Sequence, residues 1–162
     1  MPVTACLKHE VEVNPSSNHG TIVNFQQSYW AVNAAFETAL SAYGLSGPQW
    51  DTLRILREHP GANGADIARI ARVSPQAVAT MLQRLEQAGL IVRRPPLRGR
   101  SVESYITPSG ETLLREGDRV ADEIEAKMLS DFSTEEKQHF NDYLQRCSAN
   151  LKCDRASNKS NS

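Results

Sequence analysis

Between residues 45 and 111 the chain is interrupted at short intervals by residues that stop or start helices. The interruptions read LSGPQW (45–50), HPGANG (59–64), RVSP (72–75), Gly89, RRPPLRGRS (93–101) and TPSGE (107–111). Glycine and proline disrupt regular backbone, while Ser, Thr and Asn accept the free N–H groups of a helix's first turn. Only short elements fit between such breaks. Ser46 and Pro48 open a helix that Trp50, Leu53, Ile55 and Leu56 carry to residue 58. Asn63, with Asp66 three residues on, resembles a cap for a helix over 65–71 with Ile67, Ala68 and Ile70 inward. Ser74 caps and Pro75 enters a helix to residue 88, with Val78, Leu82 and Leu85 inward. Gly89 ends it as a left-handed cap residue.

LIVRR and VESYIT follow as two short strands, joined by the arginine- and proline-rich loop. Longer helices flank this middle. Over 21–43, Ile22, Phe25, Tyr29, Val32, Phe36, Leu40 and Tyr43 recur in steps of three and four, the period of an amphipathic helix. Thr107 and Pro108 start another, running to 129 with Leu113, Val120, Ile124 and Met128 on one side. Ser133 and Glu136 form an S-x-x-E capping box for the last helix, striped by Phe140, Leu144, Cys147 and Leu151. Residues 1–20 read as a flexible arm and 152–162 as a disordered tail. The domain plan is thus an arm, a helix to 47, a module over 48–107, helices over 108–151, and the tail.

The formal net charge is −1, so composition as a whole gives no reason to expect a nucleic acid. Its distribution does. Residues 48–107 hold nine arginines, no lysine and five acids, whereas 108–151 hold ten acids against five bases. A basic middle beside an acidic end fits a local anionic partner, or two solvated surfaces of opposite sign. No apolar run approaches the roughly 18 residues of a membrane span. The N-terminus lacks the order of a secretory signal. Three cysteines match no zinc spacing, and a reducing cytoplasm suits them.

Two short helices, a tight turn and a hairpin make a winged helix-turn-helix, and the fold class expected is mainly α. A helix fits the major groove and offers its first turns to base edges. The outward positions of 74–88 are Gln76, Ala79, Thr80, Gln83, Arg84 and Gln87. Glutamine can bond adenine through two contacts, and threonine offers a hydroxyl and a methyl. A stiff hairpin tip with Pro95, Pro96 and Gly99, carrying Arg98 and Arg100 beside Arg93 and Arg94, suits phosphates and a narrow groove. The plain alternatives are an ordinary polar helix face and a charged loop that protects strand edges. The DNA-contacting set expected is Arg72, Ser74, Gln76, Ala79, Thr80, Gln83, Arg84, Arg98 and Arg100.

The pieces L-S-x-x-Q-W, A-D-I-A-R, R-L-E-x-x-G-L-I-x-R and G-R…I-T-P-S-G, in this order, resemble the MarR (multiple antibiotic resistance regulator) family of winged-helix repressors. Agreement in element order extends over 21–151. The resemblance implies a homodimer in which the first and last two helices of each subunit interlock. The two winged modules then straddle a pseudo-palindromic site on double-stranded DNA. By position, Arg100 matches the family's wing arginine, and Gln76, Thr80 and Gln83 match recognition-helix contacts. Many members carry an Asp near the wing arginine. Here the place reads RGR with a shorter loop, which implies a wing held differently.

The resemblance also implies release from DNA by small aromatic or phenolic anions between the dimer lobe and the winged module. Trp30, off the main stripe on an edge shared with Asn33 and Glu37, is one candidate to line that pocket. Trp50 is another, each with core packing as the alternative. Cysteine-based redox control is a second regulatory reading. Cys147 lies on the last helix's stripe, Cys153 lies after it, and either can pair across a dimer axis; a small apolar role for Cys147 is the alternative. The peroxide-sensing branch of the family uses a cysteine early in the first long helix, and Cys6 lies well upstream of that place. Cys6 and His9 form a weak C-x-x-H, and His19, His59 and His139 have no company, so no metal or cofactor is expected. No catalytic constellation is present, because Ser74 and Ser133 are explained as caps. The competing class is a winged-helix interaction or dimerisation module that does not bind DNA.

Overall fold

The computed structural model describes residues 20–95 and 101–157, with side chains to residue 151. Its elements run α1 (Gly20–Ser41), α2 (Gly47–Glu58), α3 (Gly64–Ala71), α4 (Pro75–Gln87), β1 (Ile91–Arg94), β2 (Glu103–Ile106), α5 (Pro108–Met128) and α6 (Thr134–Ser157). The strands pair antiparallel, with Ile91 opposite Ile106 and Arg94 opposite Glu103. The chain divides into two compact units, one ending at Ala121 and the other beginning at Asp122. No helix among the described residues is long and apolar enough to cross a membrane.

Helix starts follow the side chains that satisfy their free N–H groups. Gln49 Oε1 accepts from the Ser46 N–H at 2.9 Å, opening α2. Asn63 Oδ1 accepts from the N–H groups of Ala65 and Asp66, and Ser74 Oγ accepts from Ala77. At α6 the exchange is reciprocal: Glu136 accepts from the Ser133 N–H at 2.8 Å, and Ser133 Oγ accepts from the Glu136 N–H at 3.3 Å. Gly89, at φ 69°, turns the chain out of α4.

Thr107 ties three elements together. Its hydroxyl donates to the Gly89 carbonyl at 2.8 Å and accepts from the Gly110 N–H at 3.1 Å, and its own N–H donates to the Leu90 carbonyl. The end of α4, the end of β2 and the start of α5 therefore meet at one residue. A Cβ on Gly110 would run into the Leu90 carbonyl oxygen, so only glycine lets α5 lie this close.

The core of the first unit is apolar and continuous through Leu40, Leu53, Leu56, Ile67, Leu85, Ile91 and Leu114, all fully buried. Three expectations change. Ile70 is exposed, because α3 buries the face of Ile67 and Ala68 and Ile70 lies off it. In α5 the buried line is Gly110, Leu114, Gly117 and Val120, while Leu113 is half-buried and Met128 exposed. One of its small residues lies against α2: a Cβ on Gly117 would strike the Trp50 ring. The third change is at the C-terminus: α6 continues to Ser157, so 152–157 are helical and not part of a disordered tail. No proline or glycine interrupts 134–157, and nothing in the backbone chemistry stops the helix at Leu151. The N-terminal arm and residues 158–162 lie outside the described residues.

Candidate nucleic-acid interface

Helix α4 is fixed from inside by Val78, Leu82 and Leu85, all buried. That leaves the opposite face outward, and Gln76, Ala79, Thr80, Gln83, Arg84 and Gln87 are all exposed. Arg72 and Ser74, in the turn ahead of the helix, are exposed too. Six of the nine residues expected to contact DNA therefore share α4 and its cap position, and Arg72 stands just before them. Arg98 and Arg100 lie outside the described residues. Among the described residues, neither Arg72 nor Arg84 takes part in an ion pair. Glu86, the acid nearest this face, is engaged by Arg93 at 3.6 Å.

That ion pair links the hairpin to α4. Arg94 lies over the Tyr105 ring, 5.7 Å from its centroid, and the Tyr105 hydroxyl donates to Glu103 at 2.7 Å. The bond to a carboxylate, with burial adding to it, pushes the phenol's pKa up and keeps it a donor. Arg93 and Arg94 thus hold the base of the wing, a duty that counting charges along the sequence did not separate from that of the tip.

A second anchor was missed by sequence reasoning. The HPGANG loop pairs with the outer edge of β2: Gly61 N–H donates to the Ser104 carbonyl at 3.0 Å, and Ser104 N–H donates to the Ala62 carbonyl at 3.3 Å. Gly61, at φ 84°, has the Tyr105 ring directly against the place a Cβ would take. The glycine in that loop was the available signal, since it permits both the turn and the close approach.

A further link joins α2 to α5. Asp118 accepts from Trp50 Nε1 at 3.0 Å and from Arg57 at 2.6 Å. This hydrogen bond, chiefly, raises the Arg57 pKa. Trp50 also packs edge-to-face on Phe36, with ring centroids 5.1 Å apart, and Arg54 lies over its indole. Trp50 is therefore a half-buried packing residue whose one donor is occupied.

Trp30 is 66% exposed on α1, edge-to-face with Tyr29, and Asn33 is half-buried on the next turn. Cys147 is exposed as a free thiol, which removes the reading of it as a buried apolar residue in a single chain. Cys153 lies on the same helix, and its side chain is outside the described residues. Among the described residues, no group of three or more His, Cys, Asp and Glu is placed to hold a metal ion.

Comparison with known proteins agrees with this arrangement. Residues 43–101 match the MarR family model. The chain is 34% identical over 109 residues to the HTH-type transcriptional repressor Rv2887 of Mycobacterium tuberculosis, a span of 67% of this chain and 78% of that protein. The crystal structure of Rv2887 in complex with DNA superposes with a TM-score of 0.68 at 28% identity, covering 77% of this chain and 94% of the other. The structure of Rv2887 in complex with salicylic acid gives a TM-score of 0.63 at 30% identity, covering 76% and 93%. With a helix-turn-helix, a pinned wing and these relatives in agreement, the chain belongs to the MarR family of DNA-binding winged-helix transcriptional regulators.

Proposed function

We propose that the protein is a cytoplasmic homodimeric repressor that binds a pseudo-palindromic operator and leaves it when a small aromatic anion binds. The observation that carries this reading is the outer face of α4, where amides, a methyl, a threonine and an arginine are exposed together. That face suits the floor of the major groove. Arg72 and Ser74 at the turn meet the adjoining phosphates, and Arg98 and Arg100, outside the described residues, are the residues assigned to the neighbouring minor groove by their sequence position. The exposure of Ile22, Phe25, Tyr29 and Trp30 along α1 in a single chain supports the second copy. Two-fold symmetry then sets half-sites about one helical turn apart.

The repressor Rv2887 has been crystallised with salicylic acid, which supports an aromatic acid as the effector class. Trp30 and Asn33 supply an exposed ring and a polar group on α1 for such a ligand, while Trp50 offers only its ring.

Footprinting on DNA upstream of the protein's own gene tests the proposal. The expected result is a protected stretch with two half-sites, lost on adding salicylate. Replacing both Arg98 and Arg100 with Ala should weaken binding and flatten its salt dependence, by about one unit of log–log slope for each phosphate contact removed. If no fragment is protected and heparin does not retain the protein at low salt, the interaction-module reading takes its place.

A further inference from the structure

The face of α4 described above carries one hydroxyl, and that hydroxyl is turned back into the helix. Thr80 Oγ1 donates to the backbone carbonyl of Gln76, one turn earlier, at 3.1 Å. A threonine has a single O–H hydrogen, and this bond uses it: the oxygen can still accept but cannot donate to an acceptor such as thymine O4. The Thr80 side chain is nonetheless exposed, and the branch it leaves to meet a thymine edge is the Cγ2 methyl, since that edge offers an acceptor and a methyl but no donor. Ala79 beside it is exposed as well and also ends in a methyl. Gln76 lies one turn before this pair and Gln83 one turn after, both exposed. The face is therefore a small apolar step between two amides.

In the major groove the thymine C5-methyl is the apolar feature of a base pair, and an adenine edge is what a glutamine amide bonds through two contacts. We propose that Ala79 and Thr80 recognise thymine methyl groups, with Thr80 acting through its methyl and not its hydroxyl. The half-site then carries thymines at its centre, flanked by adenines placed for Gln76 and Gln83. The inference rests on the DNA-binding reading and specifies what that face selects.

The test uses the footprinted fragment amplified with dTTP or with dUTP, two duplexes that differ only in the C5-methyl. The wild-type protein should bind the thymine form more tightly, by about fourfold for each methyl buried. Thr80→Val keeps a methyl without a hydroxyl and should retain both affinity and preference. Thr80→Ser keeps the hydroxyl without the methyl; it should bind the thymine form about fourfold more weakly and show a smaller preference between the two duplexes. Neither variant touches the buried face of Val78, Leu82 and Leu85, and thermal unfolding of each checks that the fold is kept. Equal wild-type binding to both duplexes overturns the proposal while leaving the DNA-binding reading intact. So does a Thr80→Ser protein that behaves as wild type beside a Thr80→Val protein that does not, since the hydroxyl would then be the reader. Binding to neither duplex overturns the DNA-binding reading and this proposal with it.

Discussion

Arg72 is the one non-glycine residue with a left-handed backbone among the described residues, at φ 56° and ψ 38°. Its N–H still donates to the Ala68 carbonyl, so the turn between α3 and α4 is closed as a glycine would close it. An L-residue in that region gives up roughly 1–2 kcal/mol, and glycine offsets part of this through its larger unfolded-state entropy, roughly 0.5–1 kcal/mol. Arg72→Gly should therefore stabilise the fold by up to about 1 kcal/mol, read from the midpoint of urea unfolding. The same change removes a cation at the entry to α4, so DNA affinity should drop and the salt slope lose about one unit. A destabilised variant with an unchanged slope would make Arg72 a packing residue and nothing more. The sequence places Arg72 in the turn, but it does not disclose the backbone strain, because the residue type argues against it. Nor does it separate Arg93 and Arg94, engaged by Glu86 and Tyr105, from Arg98 and Arg100. Those engagements join residues distant along the chain or depend on a strand register.

Helices were legible wherever a cap or a breaker stood at the boundary: Asn63, Ser74, Thr107 and Ser133 all accept the bonds their positions implied. Where no such signal existed, periodicity alone misjudged the extent of α6 and the inward line of α5, in which two glycines alternate with Leu114 and Val120. The backbone pairing of Gly61 and Ala62 with Ser104 left no periodic trace at all. The α6 cap predicts a pH effect. Accepting the Ser133 N–H and hydroxyl holds the Glu136 carboxyl below its ordinary value of 4.5. A lowered folded-state pKa means the ionised form favours the helix start. This contribution is present above 4.5 and disappears as pH falls through the lowered value. The expected outcome is loosening of the first turn of α6 in acid, seen as faster amide exchange at Ser133 and Glu136. Glu136→Gln keeps an acceptor but cannot ionise, and should remove that pH dependence. If exchange at these amides follows the same pH profile in wild type and Glu136→Gln, the cap does not depend on the charge.

At the scale of the molecule, a single chain exposes too much apolar surface on its helices. Ile22 is 58% exposed and Phe25 59%, with Tyr29 and Trp30 following on the same helix, and Leu151 on α6 is 72% exposed. Scattered surface apolar residues are ordinary, but a run of large ones along one helix marks an interaction face. Their regular spacing was legible in the sequence; that one chain leaves them uncovered was not, since a helical stripe looks the same whether its partner lies in its own subunit or another. If a second copy covers α1, sedimentation should give a dimer, and Ile22→Asp with Phe25→Asp should give a folded monomer, because neither residue belongs to the buried core. Trp30 emission should move to the red in that variant, with Trp30→Phe as the control that shows the emission of Trp50 alone. DNA binding supplies the decisive readout. A dimer gains from holding two half-sites at once, an advantage of about 10²–10⁴ that disappears when the halves separate. The monomeric variant should therefore lose most of its affinity for a two-half-site fragment and little for a single half-site. A variant that remains dimeric with full affinity would place the dimer contact elsewhere than α1. One that becomes monomeric yet binds both fragments as the wild type does would separate dimerisation from operator recognition, leaving α4 and the wing to act alone.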